Sequence, residues 1–379
     1  MTSVLVLGGG FGGVATAQAL RQALPAEAEI VVVDRRERFG FGFRKTWAFL
    51  GHETLEASQR PLRSLQRSGI RFLQGNVRSL DVQARSAEVD GQRLQADALV
   101  VALGARPAPE TIPGLSEHAV SFYSVEETPR AARALQEFRG GRVLLVIFGV
   151  PHPCPPAPYE AALLLREHFE ALGIDAEMEV TSPQPMSLPL LGQAGCSAIE
   201  GRLEQRGIRF HPNHQPLRVD PKAVHFTTGP RPYDLLIGIP PHRCPDPVAG
   251  SQLTGPSGWV RVDPRTLETE FPGVYAIGDL VDIPLADGKR LPQAGVFAER
   301  QGSVVAQRIA ARLAGRQPEA VFDGRGHCFL EIGGGKAMLV QGEFLAEPAP
   351  RIELTEPSSD SLALKREWET ERLAAWFGE

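Results

Sequence analysis

The fold is decided near the start of the chain, by Val4-Leu5-Val6-Leu7-Gly8-Gly9-Gly10-Phe11-Gly12-Gly13. The four apolar residues predict a short buried strand, and a helix is predicted from Val14 to about Leu24. A glycine-rich turn between strand and helix allows a tight bend, a close approach of the backbone to a pyrophosphate, and close helix–strand packing. The N-terminus of such a helix also favours the negative charge of a phosphate. The stretch therefore predicts a dinucleotide-binding unit.

A second apolar strand, Ile30 to Val33, extends this unit and ends at Asp34. An acid about 20 residues after the last glycine of such a turn accepts hydrogen bonds from a ribose hydroxyl. For Arg35, which follows the acid, two alternatives stay open: a surface charge, or a contact on the adenine side of the cofactor. The cofactor-binding residues predicted in this unit are Gly8, Gly10, Phe11, Gly12, Gly13, Asp34 and Arg35.

Two later strands end in glycine turns of a related kind. Residues 96–107 read Ala-Asp-Ala-Leu-Val-Val-Ala-Leu-Gly-Ala-Arg-Pro, and residues 270–279 lead through a strand into Gly278-Asp279. With the first glycine turn, these motifs make the chain similar to the two-dinucleotide-binding-domain flavoproteins. That resemblance implies an α/β fold with two Rossmann-like domains of the glutathione-reductase type and FAD as cofactor. It adds the cofactor-binding residues Ala102, Gly104, Gly278, Asp279, Gln293 and Ala294.

The resemblance also gives two of these residues specific roles. Asp279 is expected to bond the ribityl or pyrophosphate part of FAD. Gln293 and Ala294 open a helix that runs to about Leu313. The N-terminus of this helix is expected to face the pyrimidine end of the flavin, where its dipole stabilises the anion of reduced flavin.

Length and composition are compatible with this organisation. The 379 residues are enough for two or three domains. We predict an FAD-binding domain in two parts (1–109 and 266–313), a second Rossmann-like domain (110–265) and a C-terminal region (314–379). The net charge of -5 and the lack of a basic run argue against a nucleic-acid partner. No metal site is predicted.

The second domain departs from the glycine pattern at Val143 to Glu160. Six apolar residues predict a buried strand, but the loop that follows contains one glycine, five prolines and Cys154. Prolines lack the backbone N–H groups that would bind a pyrophosphate, so NAD(P)H binding in the usual mode is not expected. Cys154 lies just before a predicted helix, whose N-terminus is expected to lower the pKa of the thiol.

From this loop onward the chain resembles the sulfide:quinone oxidoreductases and the flavoprotein subunit of flavocytochrome c sulfide dehydrogenase. The matching stretches are 154–160 (Cys-Pro-Pro-Ala-Pro-Tyr-Glu), 239–243 (Ile-Pro-Pro-His-Arg), 291–295 (Leu-Pro-Gln-Ala-Gly) and 328–329 (Cys-Phe). The resemblance implies that Cys154 and Cys328 form a redox disulfide or polysulfide bridge. For Glu160 two roles stay open: a proton carrier, or a charge that complements the helix dipole.

These features predict an FAD-dependent oxidoreductase that oxidises sulfide, or another small sulfur substrate, and passes electrons to a quinone. The alternative is a type II NADH dehydrogenase-like or other NAD(P)H-dependent flavin oxidoreductase. A third class is a flavin-binding protein without turnover. FAD is expected to be non-covalent, because the regions where relatives carry a tethering cysteine, around Phe39–Trp47 and His118–Ser124, contain none.

The C-terminal residues leave the location open. A helix predicted from Leu362 to Phe377 carries two tryptophans together with many acids. It is expected either to lie on a membrane and guide quinone, or to pack on the protein itself. With no visible targeting segment, the expected location is the cytoplasm, either free or on the inner face of the cytoplasmic membrane. A homo-oligomer is one alternative for the assembly state.

Overall fold

The computed structural model describes residues 2–378. Residues 2–109 contain two α-helices, α1 (Phe11–Ala23) and α2 (Arg44–Phe49). Their strands are β1 (Ser3–Leu7), β2 (Glu29–Asp34), β3 (Arg38–Phe39), β4 (Arg60–Pro61), β5 (Arg71–Gln74), β6 (Val77–Asp81), β7 (Ser86–Val89), β8 (Gln92–Gln95), β9 (Ala98–Val101) and β10 (Arg106–Pro107).

The middle of the chain alternates helices and strands. Its helices are α3 (Leu115–His118), α4 (Thr128–Glu137), α5 (Ala157–Leu172), α6 (Gly192–Gln205) and α7 (Asp246–Ala249). Its strands are β11 (Gly141–Ile147), β12 (Ala176–Thr181), β13 (Ile208–His211), β14 (Pro216–Asp220), β15 (Ala223–Phe226), β16 (Gly229–Pro232), β17 (Leu235–Ile239), β18 (His242–Arg243) and β19 (Val260–Arg261).

The last part of the described chain contains two long helices, α8 (Gly295–Leu313) and α9 (Ser359–Phe377). Its strands are β20 (Val274–Ala276), β21 (Val281–Asp282), β22 (Arg325–Gly333), β23 (Lys336–Glu343) and β24 (Arg351–Leu354).

The first large sheet has the strand order β20-β9-β1-β2-β5, and all its neighbours are parallel. Its inner strands β1 and β9 are apolar on both faces, with Val6 and Val100 fully buried on one face and Leu7 and Val101 on the other, as expected for a parallel sheet covered on both sides. The carboxyl ends of parallel strands meet at one edge. This edge therefore gathers the glycine turn after β1, Asp34 at the end of β2, and Gly278 beyond β20.

The second large sheet is also parallel, with the order β13-β12-β11-β17. Helix α5 follows β11 directly and is buried along most of its length. Parallel strands joined by helices confirm the predicted α/β fold with two Rossmann-like units. Since β20 joins the first sheet, the chain returns to that sheet after completing the second. The predicted domain boundaries stay predictions.

The C-terminal region is an antiparallel sheet, β22-β23-β24, with α9 packed on it and on the first unit. Leu373, Trp376 and Phe377 of α9 are buried in the hydrophobic core of the first unit, whereas Leu364 is 47% exposed. Most of the apolar side of α9 thus faces the protein. Within residues 2–378, no helix combines the length and apolarity needed to cross a bilayer.

Candidate active site

The three fingerprint glycines of the first turn differ in what surrounds them. A Cβ at Gly8 (φ +110°) would collide with the carbonyl oxygen of Ala102, and a Cβ at Gly13 would collide with the carbonyl oxygen of Gly8. A Cβ at Gly10 would meet no protein atom within 4 Å. Gly8 and Gly13 are therefore required by the packing of strand and helix, whereas Gly10 leaves the backbone open for a ligand to approach.

Asp34 lies at the carboxyl end of β2, beside this turn. Its Oδ2 accepts a hydrogen bond from Gly9 N–H at 2.7 Å, and Arg36 forms an ion pair with it at 3.1 Å. Burial opposes ionisation, but the charge of Arg36 and these hydrogen bonds keep the pKa of Asp34 below its usual value. Asp34 is thus an ionised acceptor, suited to ribose hydroxyls. Arg35 is exposed, and its predicted cofactor contact stays a prediction.

Phe11, the first residue of α1, turns its ring away into an aromatic cluster. The cluster comprises Phe11, Phe39, Phe41, Phe43, Trp47, Trp368 and Trp376. The ring of Phe11 stacks on Trp368 of α9, with centroids 5.7 Å apart and planes 11° apart. The predicted contact of Phe11 with a pyrophosphate stays a prediction, and only the backbone N–H of Phe11 would be left to make it. The aromatic loop between β2 and α2 mainly anchors the C-terminal helix.

Gln293 connects the start of α8 to the rest of the site. Its Nε2 donates to the carbonyl oxygen of Asp279 at 2.6 Å, and its own carbonyl oxygen accepts from Cys154 N–H at 2.7 Å. Its side-chain Oε1 is buried and has no hydrogen-bond partner among the described residues. Such an acceptor fits a ligand that carries an N–H donor, as the pyrimidine ring of a flavin does. Ala294 is the residue that caps α8.

Asp279 follows Gly278 at the carboxyl edge of the first sheet. Burial raises the pKa of Asp279 to about 6, although the positive charge of Lys45 opposes this. Burial also lowers the pKa of Lys45 to about 8. Gly278 is held in place because its N–H donates to Gln301 Oε1 at 2.7 Å. The sequence did not single out Lys45, since a lysine in an aromatic loop carries no motif.

Cys154 and Cys328 come from opposite parts of the chain and meet at this site. Both are free, partly exposed thiols, and each changes the pKa of the other, which places them side by side. Cys154 lies in a left-handed backbone conformation (φ +54°), and Cys328 lies on β22. Because β22 packs against α5, the strand that carries one thiol lies against the helix that follows the other.

The two thiols ionise differently. The hydrogen bond to Cys328 and burial both raise the pKa of Cys154 well above its usual value. The same hydrogen bond lowers the pKa of Cys328, although burial opposes this. The prediction that the helix start lowers the pKa of Cys154 is therefore wrong. Cys328 is the thiol that ionises first.

The backbone around α5 explains this failure. Pro155, Pro156 and Pro158 have no N–H, and the N–H of Ala157 already donates to Cys154 O at 2.9 Å. The next two N–H groups of the helix donate to Pro156 O at 3.1 Å and 3.0 Å. The first turn of α5 thus offers few backbone donors to a thiolate, or to a pyrophosphate.

Glu160 is buried in a group of charges that the sequence did not reveal. Its carboxylate accepts from Lys365 Nζ at 3.0 Å and from the backbone N–H of Glu331 at 2.9 Å. Burial raises the pKa of Glu160, although Lys365 opposes this. A partner 205 positions away in sequence leaves no local signal. Glu160 therefore does more than complement the dipole of α5, because it also pairs with Lys365 and binds the backbone of β22.

A second group of buried side chains lies behind the Cys154 loop. Tyr123 OH is 3.3 Å from His152 Nδ1 and also donates to Cys154 O at 3.5 Å. Burial lowers the pKa of His152 to about 4 and that of His242 to about 3. These imidazoles are neutral near pH 7, so they donate or accept single hydrogen bonds but add no positive charge. Lys45 Nζ donates to Tyr123 O at 2.8 Å, which joins this group to Asp279.

Two parallel dinucleotide folds and a pair of cysteines define a flavoprotein of the disulfide oxidoreductase class. The family model described as pyridine nucleotide-disulphide oxidoreductase matches residues 2–302, and the chain belongs to this family. FAD is accordingly its cofactor, and the open turn at Gly10, the ionised Asp34 and the unpartnered Gln293 Oε1 fit that cofactor. The predicted assignment as a flavin oxidoreductase is confirmed.

Individual relatives show which members of this family the chain is similar to. The chain is 25% identical over 361 residues to the mitochondrial sulfide:quinone oxidoreductase of Mus musculus, covering 91% of this chain and 79% of that protein. It is 24% identical over 341 residues to a type II NADH:quinone oxidoreductase of Staphylococcus aureus, covering 83% and 84%. The crystal structure of the sulfide:quinone oxidoreductase from Aquifex aeolicus superimposes with a TM-score of 0.89 at 22% identity, covering 100% and 92%. The predicted resemblance to the sulfide:quinone oxidoreductases is confirmed.

Proposed function

We propose that this flavoprotein oxidises sulfide, or a closely related small sulfur substrate, through Cys154 and Cys328 and passes the electrons through FAD to a quinone. The observation that carries the proposal is the contact between two thiols 174 positions apart in sequence, with different acidities and beside the flavin-binding edge. The relatives named for sulfide and quinone support the choice of substrates. FAD supplies a two-electron acceptor when bound.

The different acidities of the thiols suggest the direction of the sulfur chemistry. In the oxidised protein, hydrosulfide attacks Cys154 Sγ, and the Cys154–Cys328 bond breaks. Cys154 becomes a persulfide, and the bonding electron pair leaves on Cys328 as a thiolate. Thiol–disulfide exchange proceeds faster when the leaving thiol has the lower pKa, which here is Cys328.

Glu160 and Gln293 have supporting roles in this proposal. Because burial raises the pKa of Glu160, its carboxylate can accept the proton that the Cys154 persulfide loses when it ionises. The backbone carbonyl of Gln293 accepts a hydrogen bond from Cys154 N–H, and its side chain donates to the carbonyl oxygen of Asp279. Gln293 thereby holds the Cys154 loop next to the FAD-binding edge.

FAD is proposed to be held without a covalent bond. Cys196 is fully buried and donates to Leu188 O at 3.1 Å, and Cys244 is buried in a different hydrophobic cluster. The other two cysteines, Cys154 and Cys328, form the proposed redox pair and are not available to tether FAD. Contact with the inner face of the cytoplasmic membrane, which a quinone acceptor requires, and self-association stay open proposals. The burial of Leu373, Trp376 and Phe377 argues against α9 as the surface of membrane contact.

The deciding experiment is anaerobic flavin reduction, followed by absorbance, with sulfide and NADH in parallel. We expect sulfide to bleach the flavin within seconds and NADH to leave it oxidised. Cys154→Ser and Cys328→Ser should each slow reduction by sulfide by at least about a hundredfold, because a hydroxyl cannot form the bridge. Cys196→Ser is the matched control, since a hydroxyl can keep the hydrogen bond to Leu188 O, and should reduce normally.

NAD(P)H-dependent flavin reduction is the second candidate, and the similarity to type II NADH:quinone oxidoreductases favours it. The proline-rich start of α5 argues against it. Rapid bleaching by NADH together with an unreactive sulfide mixture would replace the first proposal with this one. Bound FAD that neither donor reduces would instead support a flavin-binding protein without turnover.

A further inference from the structure

Lys365 is the most unusual residue of the C-terminal helix. It is the seventh residue of α9, a helix rich in acids, yet only 1% of it is exposed. Its ammonium group lies 3.0 Å from Glu160 Oε2 and 2.6 Å from Glu331 Oε1. An unpaired buried ammonium would be strongly destabilising, and so its place here depends on these two carboxylates.

The two carboxylates belong to the two elements that carry the cysteines. Glu160 lies on α5, six residues after Cys154, and Glu331 lies on β22, three residues after Cys328. The backbone N–H of Glu331 also donates to Glu160 Oε2 at 2.9 Å. Lys365 therefore joins α5 to β22 from a third element, α9, and fixes how the two cysteine-bearing segments face each other.

Further contacts hold the ammonium group in this position. It lies 5.0 Å from the ring centre of Phe43 and 5.1 Å from that of Trp47. Trp47 Nε1 donates to Glu331 Oε1 at 2.7 Å, so this oxygen accepts from both Trp47 and Lys365. One turn further along α9, Glu369 pairs with Arg44, which fixes the helix to α2.

We infer that Lys365 is a positioning residue for the redox pair, holding the elements that carry Cys154 and Cys328 together and favouring the Cys328 thiolate with its charge. This inference rests on the proposed redox role of the two cysteines. The carboxylates hold the pKa of Lys365 above its usual value despite burial, so the positive charge is permanent. A cation desolvated with a thiol favours the thiolate more than the same cation in water.

Other titratable groups also act on the thiols and define what the test must separate. Lys45 on α2, Tyr123 before α4 and Glu160 on α5 each interact with one or both of them. Lys45 adds positive charge beside Cys154, and Glu160 opposes both thiolates. Glu331 acts on the site chiefly through Lys365 and Glu160.

The test is the pH dependence of alkylation at Cys328 in the reduced, FAD-loaded protein, measured with iodoacetamide and peptide mass spectrometry. Lys365→Met removes the cation and should slow alkylation near pH 7 by about tenfold, with the profile moved to higher pH. Glu160→Gln removes the charge that opposes the Cys328 thiolate but keeps an oxygen acceptor for the N–H of Glu331, and should speed alkylation. Lys336→Met, at the exposed start of β23, is the matched control and should leave the profile unchanged.

The opposite signs separate a charge effect from loosening of the structure. If both variants change alkylation in the same direction, or Lys365→Met leaves the profile in place, the inference is wrong. Should Lys365→Met fail to fold, Glu160→Gln still decides, because unchanged or slower alkylation would contradict the inference. Alkylation does not depend on sulfide turnover, so failure of the proposed function would be seen separately, in the flavin-reduction experiment.

Discussion

The two Rossmann-like units of this molecule share a topology but differ at every position where a dinucleotide would be bound. After β1 comes a glycine turn with open space at Gly10, whereas after β11 comes a proline-rich loop with Cys154. Strand β2 ends at the ionised Asp34, whereas β12 ends at Thr181 and is followed by Ser182 and Pro183. The comparison teaches that the fold supplies a place for a site, and that side chains and backbone donors at the strand ends determine what binds there.

The largest expected effect concerns the glycines of the first turn. Gly13→Ala should abolish FAD binding and most soluble protein, because its Cβ would overlap the carbonyl oxygen of Gly8. Gly10→Ala should fold normally, since its backbone (φ -85°, ψ -166°) suits alanine and nothing lies near the added methyl group. FAD titration of the Gly10→Ala apoprotein should nevertheless show binding at least about tenfold weaker. If Gly10→Ala binds FAD with full affinity, the open space at Gly10 is not where the cofactor approaches, and the contrast between the two units is wrong at this position.

A moderate effect is expected at the end of β2. Asp34→Asn keeps an oxygen acceptor for Gly9 N–H but loses the charge that Arg36 stabilises. We expect FAD to bind about tenfold more weakly, as is typical when a charged hydrogen-bond acceptor becomes neutral. Asp97→Asn, which alters a carboxylate bonded to Ser3 near the opposite edge of the same sheet, is the control. If both variants bind FAD equally well, Asp34 does not contact the cofactor.

The smallest expected effect concerns Asp279, for which the second unit has no counterpart, since the second sheet ends at β17 and has no strand in the place that β20 occupies beside β9. Burial raises the pKa of Asp279 from 3.8 to about 6, so the folded apoprotein binds this proton more tightly than the unfolded chain. The free energy of unfolding of the apoprotein should therefore decrease as pH rises from about 4 through about 6. Asp279→Asn should raise the melting temperature at pH 8 by a few degrees and change it little near pH 4. A shift of equal size at both pH values would contradict this assignment.

Local patterns predicted the first unit well. The glycine spacing, the apolar runs of β1 and β2, and Asp34 are close in sequence, and each has a direct physical reason. The proline-rich loop after β11 also correctly indicated the loss of backbone donors. The same local reasoning was wrong about the Cys154 pKa, because it treated the start of α5 as an ordinary helix N-terminus although Pro155 and Pro156 precede the helix and Pro158 lies in its first turn.

By itself, the sequence determined two Rossmann-like units, of which only the first retains a glycine turn, and it singled out Cys154 and Cys328. The tertiary structure alone decided which thiol is the more acidic, because that depends on the hydrogen bond between them. It also decided that Lys365, Glu160 and Glu331 share one buried site and that the apolar side of α9 packs on the protein. The physical reason is that charge–charge contacts between distant segments leave no periodicity or spacing in the sequence, whereas backbone turns and buried strands do.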